Sequence, residues 1–168
     1  MRLLTKFLGS LFIVAFLYFA ASAQTGFTTT SGSSFDLKSQ KGKVVVLAVG
    51  ASWLPLSKNQ ASIIAELTKR FPSRNVSVFF VAIDSKNPKS KNFATDEQLQ
   101  TWSIANKVTV PVLRDPDGAI TKKLYGVDQI PAFVILDRNG EMKSEPVAGI
   151  DPDSNPLENL ANIIDSLL

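Results

Sequence analysis

Three short, almost purely apolar runs limit what this chain can become. Lys43 is followed by Val-Val-Val-Leu-Ala-Val up to Val49, Val76–Ile83 contains a single polar residue, and Ala132–Leu136 reads Ala-Phe-Val-Ile-Leu. Runs of that length, rich in β-branched and aromatic residues and without alternation, are strands buried on both faces. Such strands need helices to cover them, and helical patterns lie between them. Pro55 suits a first helical turn, and Ala61, Ile64, Leu67 and Phe71 then mark one face of a helix ending near Arg70, closed by Pro72. Thr95-Asp96-Glu97-Gln98 is a capping box opening a helix that carries Leu99, Trp102 and Ile104.

The rest of the chain completes the alternation. Val108–Leu113 reads as a short strand, Asp115-Pro116-Asp117-Gly118 as a turn and Ala119–Tyr125 as a brief helix. Asp137-Arg138-Asn139-Gly140 contains Asn-Gly and predicts a hairpin turn, with Glu141–Val147 returning antiparallel. Asn155 caps a last helix with Pro156 at its first position and Glu158 at its third, and Leu157, Leu160, Ile163, Ile164 and Leu167 face the sheet. The expected fold is α/β, with a mixed central sheet flanked by helices on both faces. Phe35-Asp36-Leu37 is expected as a short edge strand before a turn at Gly42, and the Thr-, Ser- and Gly-rich residues 24–34 as a flexible linker.

The N-terminus has a different grammar. Arg2 and Lys6 precede the apolar block Phe7–Phe19, and Ala20-Ala21-Ser22-Ala23 leads to Gln24. A basic start, a short apolar run and a small-x-small exit predict a signal peptide over 1–23, cleaved before Gln24. The run is short for an uncleaved anchor, which needs about 20 residues. Lipid attachment at the cleavage site is excluded for want of a cysteine. Removal of Arg2 and Lys6 lowers the net charge from +3 to about +1. The basic balance therefore gives no argument for nucleic acid or for a membrane surface. Lys86, Lys89 and Lys91 sit among Asn, Pro and Ser as a solvated loop. The expected location is periplasmic or extracellular, and about 145 mature residues suffice for one stable core without disulfides.

The chain contains no cysteine and no histidine. Thiol–disulfide exchange requires a thiolate, and serine catalysis requires a base that is absent here. Ser57 therefore reads as a helix cap or a relic rather than a nucleophile. Only carboxylates remain as metal ligands. Asp115, Asp117, Asp151 and Asp153 lie in turn sequences, and the calcium-loop likeness of Asp115-Pro116-Asp117-Gly118 lacks the later bidentate glutamate. No metal and no cofactor is expected. Asn75-Val76-Ser77 matches a glycosylation sequon but opens a predicted buried strand, so it reads as a chance match.

Four segments in order carry a family resemblance: Gly42–Leu47, Trp53-Leu54-Pro55-Leu56-Ser57-Lys58, Val112–Gly118 and Tyr125–Asp137. Together they resemble secreted thioredoxin-like proteins of the TlpA/ResA type, close to the redoxin and peroxiredoxin superfamily, over about residues 35–168. The resemblance implies a thioredoxin-like domain. It also implies that Ala51–Lys58 corresponds to the family's Ala-x-Trp-Cys-x-x-Cys-Arg/Lys turn. Leu54 then stands for the nucleophilic cysteine and Ser57 for the resolving one. Ala48 stands where many members carry a buried acid. The family's proline at the Pro131 position is cis and lies against this turn, and backbone beside it pairs with an extended substrate. That geometry needs no sulfur. The binding residues so implied are Trp53, Leu54, Pro55, Leu56, Ile130 and Pro131, and the partner an extended peptide segment or a protein. The competing readings are a thiol–disulfide oxidoreductase or antioxidant, as the fold suggests, and a decayed paralogue in which Leu54 and Leu56 only fill space.

Overall fold

The computed structural model describes residues 26–73, 75–150 and 155–168. The leader read over 1–23, its cleavage before Gln24, and Asp151 and Asp153 lie outside these residues. In chain order the strands are β1 (Phe27–Thr29), β2 (Ser34–Phe35), β3 (Val44–Gly50), β4 (Val76–Ala82), β5 (Val112–Arg114), β6 (Ala132–Leu136) and β7 (Val147–Ala148). The helices are α1 (Leu56–Arg70), α2 (Asp96–Ala105), α3 (Ala119–Tyr125) and α4 (Pro156–Leu167). The strands form one seven-stranded sheet in the order β2-β1-β5-β4-β3-β6-β7. β3, β4 and β5 run parallel, whereas β6 is antiparallel to β3, β7 to β6 and β1 to β5. This is the mixed α/β sheet expected, in a thioredoxin-like fold.

Period-two alternation divides the core between the two faces of the sheet. Val44, Val46 and Ala48 of β3 point to one face with Phe80, Phe133 and Ile135, and there meet Ile64 and Leu67 of α1, Leu99 of α2 and Leu160 and Ile164 of α4. Val45, Leu47 and Val49 point to the other with Val81, Val134 and Leu136. Cover on that side is thinner: α3, through Ile120 and Tyr125, and the β1–β2 hairpin, through Phe27 and Phe35.

The capping box of α2 is present as predicted: Gln98 N–H donates to the Thr95 hydroxyl at 3.1 Å and Thr95 N–H to Gln98 Oε1 at 2.8 Å. Glu158 N–H donates to Asn155 Oδ1 at the start of α4. Ile104 is 78% exposed. It lies five residues from Leu99, about 140° around the helix, so Ser103 takes the inward position instead.

Residues 24–34 are not a linker throughout. From Phe27 they form a hairpin that pairs β1 with β5 at the sheet edge. Phe27 is buried, Gly32 takes a left-handed φ of 84°, and Ser33 N–H donates to the Thr29 hydroxyl. Threonines that read as spacer are good strand formers once one aromatic anchors them. The edge strand stops at Phe35, because Asp36 accepts from Lys38 N–H and opens a 3-10 helix over Leu37–Gln40. The strand predicted over 108–113 is displaced to Val112–Arg114, since Pro111 has no N–H to give to the ladder. Between a bridge at Met142 and β7, the returning strand leaves the ladder around the donor-less Pro146.

Candidate functional site

The site is built where β3 ends beside the start of β6. Val49 and Ala132 are register partners, so the turn after Gly50 and the segment before Ala132 emerge together. Gly50 is required there by close approach. A Cβ on it would lie 2.5 Å from Gln60 Oε1 and 2.8 Å from Ser57 Oγ. After Gly50, Leu54 N–H donates to Ala51 C=O and Ser57 N–H to Leu54 C=O. The chain thus winds directly into α1, and Pro55 already has helical dihedrals (φ −56°, ψ −39°).

Ser57 is fully buried and its hydroxyl accepts from Ala51 N–H at 3.1 Å. It is therefore not a helix cap; Pro55 precedes α1 and no side chain caps it. Ser57 ties the turn back to its own helix. Trp53 is 45% exposed and Leu56 40%, Pro55 is also exposed, and Leu54 is half-buried between them.

The Ile130–Pro131 bond is cis. Pro131 is buried and its carbonyl accepts from Gly149 N–H at 2.9 Å. Ile130 is half-buried and its side chain packs on the second apolar cluster, so it adds less to an exposed patch than its sequence suggests. Its backbone N–H and C=O have no backbone partner among the described residues. The six predicted binding residues thus lie on the two segments that leave Val49 and Ala132. Of these, Trp53, Pro55 and Leu56 are exposed, Leu54 and Ile130 half-buried and Pro131 buried.

Three polar residues that the sequence reading passed over support this arrangement. Gln60, fully buried on α1, donates from Nε2 to Ala132 C=O at 2.9 Å and Val49 C=O at 3.3 Å, clamping the two strand ends. Asp84, buried at the end of β4, accepts from Ser52 N–H and the Ser52 hydroxyl and anchors the turn from the other side. Arg114, buried in β5, donates to Asp84 C=O and Ala94 C=O, both at 3.0 Å, and to the Asp96 carboxylate at 2.7 Å. It fixes the loop that carries Asp84. The signal for Gln60 was a polar residue four before Ile64 on the buried helical face. For Asp84 it was a carboxylate at the end of an apolar run.

The carboxylates weighed as ligands serve the backbone. Buried Asp115 accepts from the N–H groups of Ile120 and Thr121 and from the Thr121 hydroxyl, opening α3. Asp117 occupies a left-handed turn position, φ 60°. Lys86, Lys89 and Lys91 are exposed on the loop after β4. No helix among the described residues is long and apolar enough to cross a membrane.

The redoxin family profile matches residues 19–163. None of the curated proteins matches the chain. Among solved structures, a candidate thiol:disulfide interchange protein DsbE from Chlorobium tepidum superposes with a TM-score of 0.69 at 22% identity, covering 84% of this chain and 91% of its own. A secreted Mycobacterium tuberculosis disulfide oxidoreductase homologous to Escherichia coli DsbE gives 0.61 at 23% identity, over 88% and 100%. The pneumococcal exposed lipoprotein thioredoxin from Streptococcus pneumoniae gives 0.62 at 23%, over 82% and 97%. At these identities the likeness is one of fold.

Proposed function

Because this chain belongs to the redoxin family yet contains no cysteine, we propose that it is an exported, redox-inactive module that binds an extended segment of a partner protein at the cis-proline edge. The observation that carries the reading is the pairing of an exposed apolar rim, Trp53 and Leu56, with an Ile130 backbone that has no backbone partner among the described residues. An extended peptide laid along Ile130 gains main-chain hydrogen bonds, and its side chains meet Trp53 and Leu54. Leu54, in place of a thiol, replaces a reactive group by apolar contact surface. Export is supported by the basic-apolar-small N-terminal pattern and by the secreted and exposed proteins that share the fold.

The test is capture from an extract of the exported fraction, with three baits in parallel. Wild type should retain a discrete partner, Leu54→Asp should lose most of it, and Ile104→Asp should retain it. Ile104 is the more exposed apolar residue and lies on α2, away from the turn. Equal retention by all three folded baits would overturn the groove and leave the decayed-paralogue reading.

A further inference from the structure

A second site lies at the opposite end of the sheet. Val45 and Leu136 are register partners four residues down the strands from Val49 and Ala132, about 13 Å at the rise of a strand. There the thin cover of the second sheet face fails to close. A cavity of about 830 Å³ opens between the β1–β2 hairpin, the 3-10 helix, the end of α3 and the hairpin after β6, within the roughly 300–1,000 Å³ of small-molecule sites. Its lining is part apolar and part polar: Phe35, Leu37 and Tyr125 are half-buried over the buried Phe27, Val45 and Leu136, and lysines and acids stand beside them.

The charges around it are unbalanced in use. Lys38, Lys41 and Lys43 all line the cavity, and none is in an ion pair among the described residues. Of the two acids lining it, only Asp137 is in an ion pair among the described residues. Asp36 accepts from Lys38 N–H, and Asp137 accepts from the N–H groups of Asn139 and Glu141 and pairs with Lys143. Lys43 is half-buried and two residues before Val45, so its stem covers the same face while its ammonium reaches outward.

We propose that this cavity binds a single-chain anionic amphiphile, a long-chain carboxylate in its simplest form. The alkyl chain lies against the accessible apolar lining, Phe35, Leu37, Leu124 and Tyr125, and the head sits among Lys38, Lys41 and Lys43. An apolar pocket with a few convergent polar groups selects a ligand of matching polarity, and flexible ammonium groups suit a point-charge head of any shape. The site is independent of the cis-proline edge.

Calorimetric titration of the purified protein with laurate, kept below micelle formation, tests the assignment. Saturable binding at one site is expected, and dodecyltrimethylammonium, with the opposite head charge, should not bind. Lys41→Glu with Lys43→Glu should weaken laurate roughly tenfold or more. Leu124→Asp, at a lining residue that is 53% exposed and so safe for folding, should weaken it similarly. Ile104→Asp, on α2 and outside the cavity lining, should leave it unchanged. No saturable binding of laurate overturns the proposal. So does equal affinity for the cationic amphiphile, indifference to both cavity variants, or binding only to vesicles of anionic phospholipid and not to monomeric laurate.

Discussion

Ser57 and Gln60 show how much of the site depends on single atoms. Both side chains crowd Gly50, whose missing Cβ is the space they share. Gly50→Ala must displace a buried amide and a buried hydroxyl together, and overpacking of that kind costs about 1–3 kcal/mol; urea unfolding should show it as a lower midpoint at unchanged slope. Gln60→Leu removes the clamp on the Val49 and Ala132 carbonyls; the two residues remain ladder partners, so the loss should be about 0.5–1.5 kcal/mol per hydrogen bond. Leu54→Asp behaves differently. Leu54 is half-buried, so its loss should stay within about 1 kcal/mol, while capture of the partner falls. The sequence shows the identities at positions 54 and 57 at once, since the missing cysteines are visible in the frame. It does not show that the Ser57 hydroxyl points back to Ala51 N–H, because that depends on how tightly the turn winds into α1.

Among the elements, β5 and the hairpin after β6 carry the strongest polar ties. Arg114 is buried and holds two carbonyls and a carboxylate. Arg114→Met leaves those acceptors unmet and should cost about 2–4 kcal/mol. Asp96→Asn should cost less, because the Asp96 side chain keeps 27% of its surface in water. In the hairpin, the Asp137 carboxylate lies below its usual value, chiefly through the Glu141 N–H, then the Asn139 N–H and the Lys143 ammonium. A carboxyl lowered in the folded state stabilises above the unfolded value, near 3.9, and that stabilisation is lost as pH falls through the native value. Asp137→Asn should therefore melt lower than wild type at pH 7, and the gap should narrow on acidification; a gap constant with pH would contradict this. Elements with continuous apolar runs or explicit caps, such as β6, α2 and α4, could be placed from sequence. The β1–β2 hairpin could not, because its aromatic anchors, Phe27 and Phe35, gain meaning only when the sheet lies beneath them.

Across the whole molecule, the two proposed sites sit at opposite ends of the sheet. One end holds the Trp53–Ser57 turn against the Ile130–Pro131 segment; the other holds the lysine-rimmed cavity between the hairpins. The fold was legible because three buried strands and their covering helices leave few arrangements. The first end was legible in outline because its frame survives in sequence. The second was not, since Phe35, Lys43, Tyr125 and Asn139 are far apart in the chain and only the thin cover over β3 and β6 brings them together. Thiol–disulfide exchange provides the most direct test of the central claim, that positions 54 and 57 are the vacated dithiol positions of an otherwise intact redoxin frame. Wild type and the Leu54→Cys, Ser57→Cys variant should be compared for reduction of insulin disulfides and for free thiols after mild oxidation. The account predicts no turnover by wild type, and in the folded variant a disulfide that forms, is reduced by dithiothreitol and confers turnover. Turnover by wild type, or two thiols that stay free in a folded variant under oxidation, would contradict it.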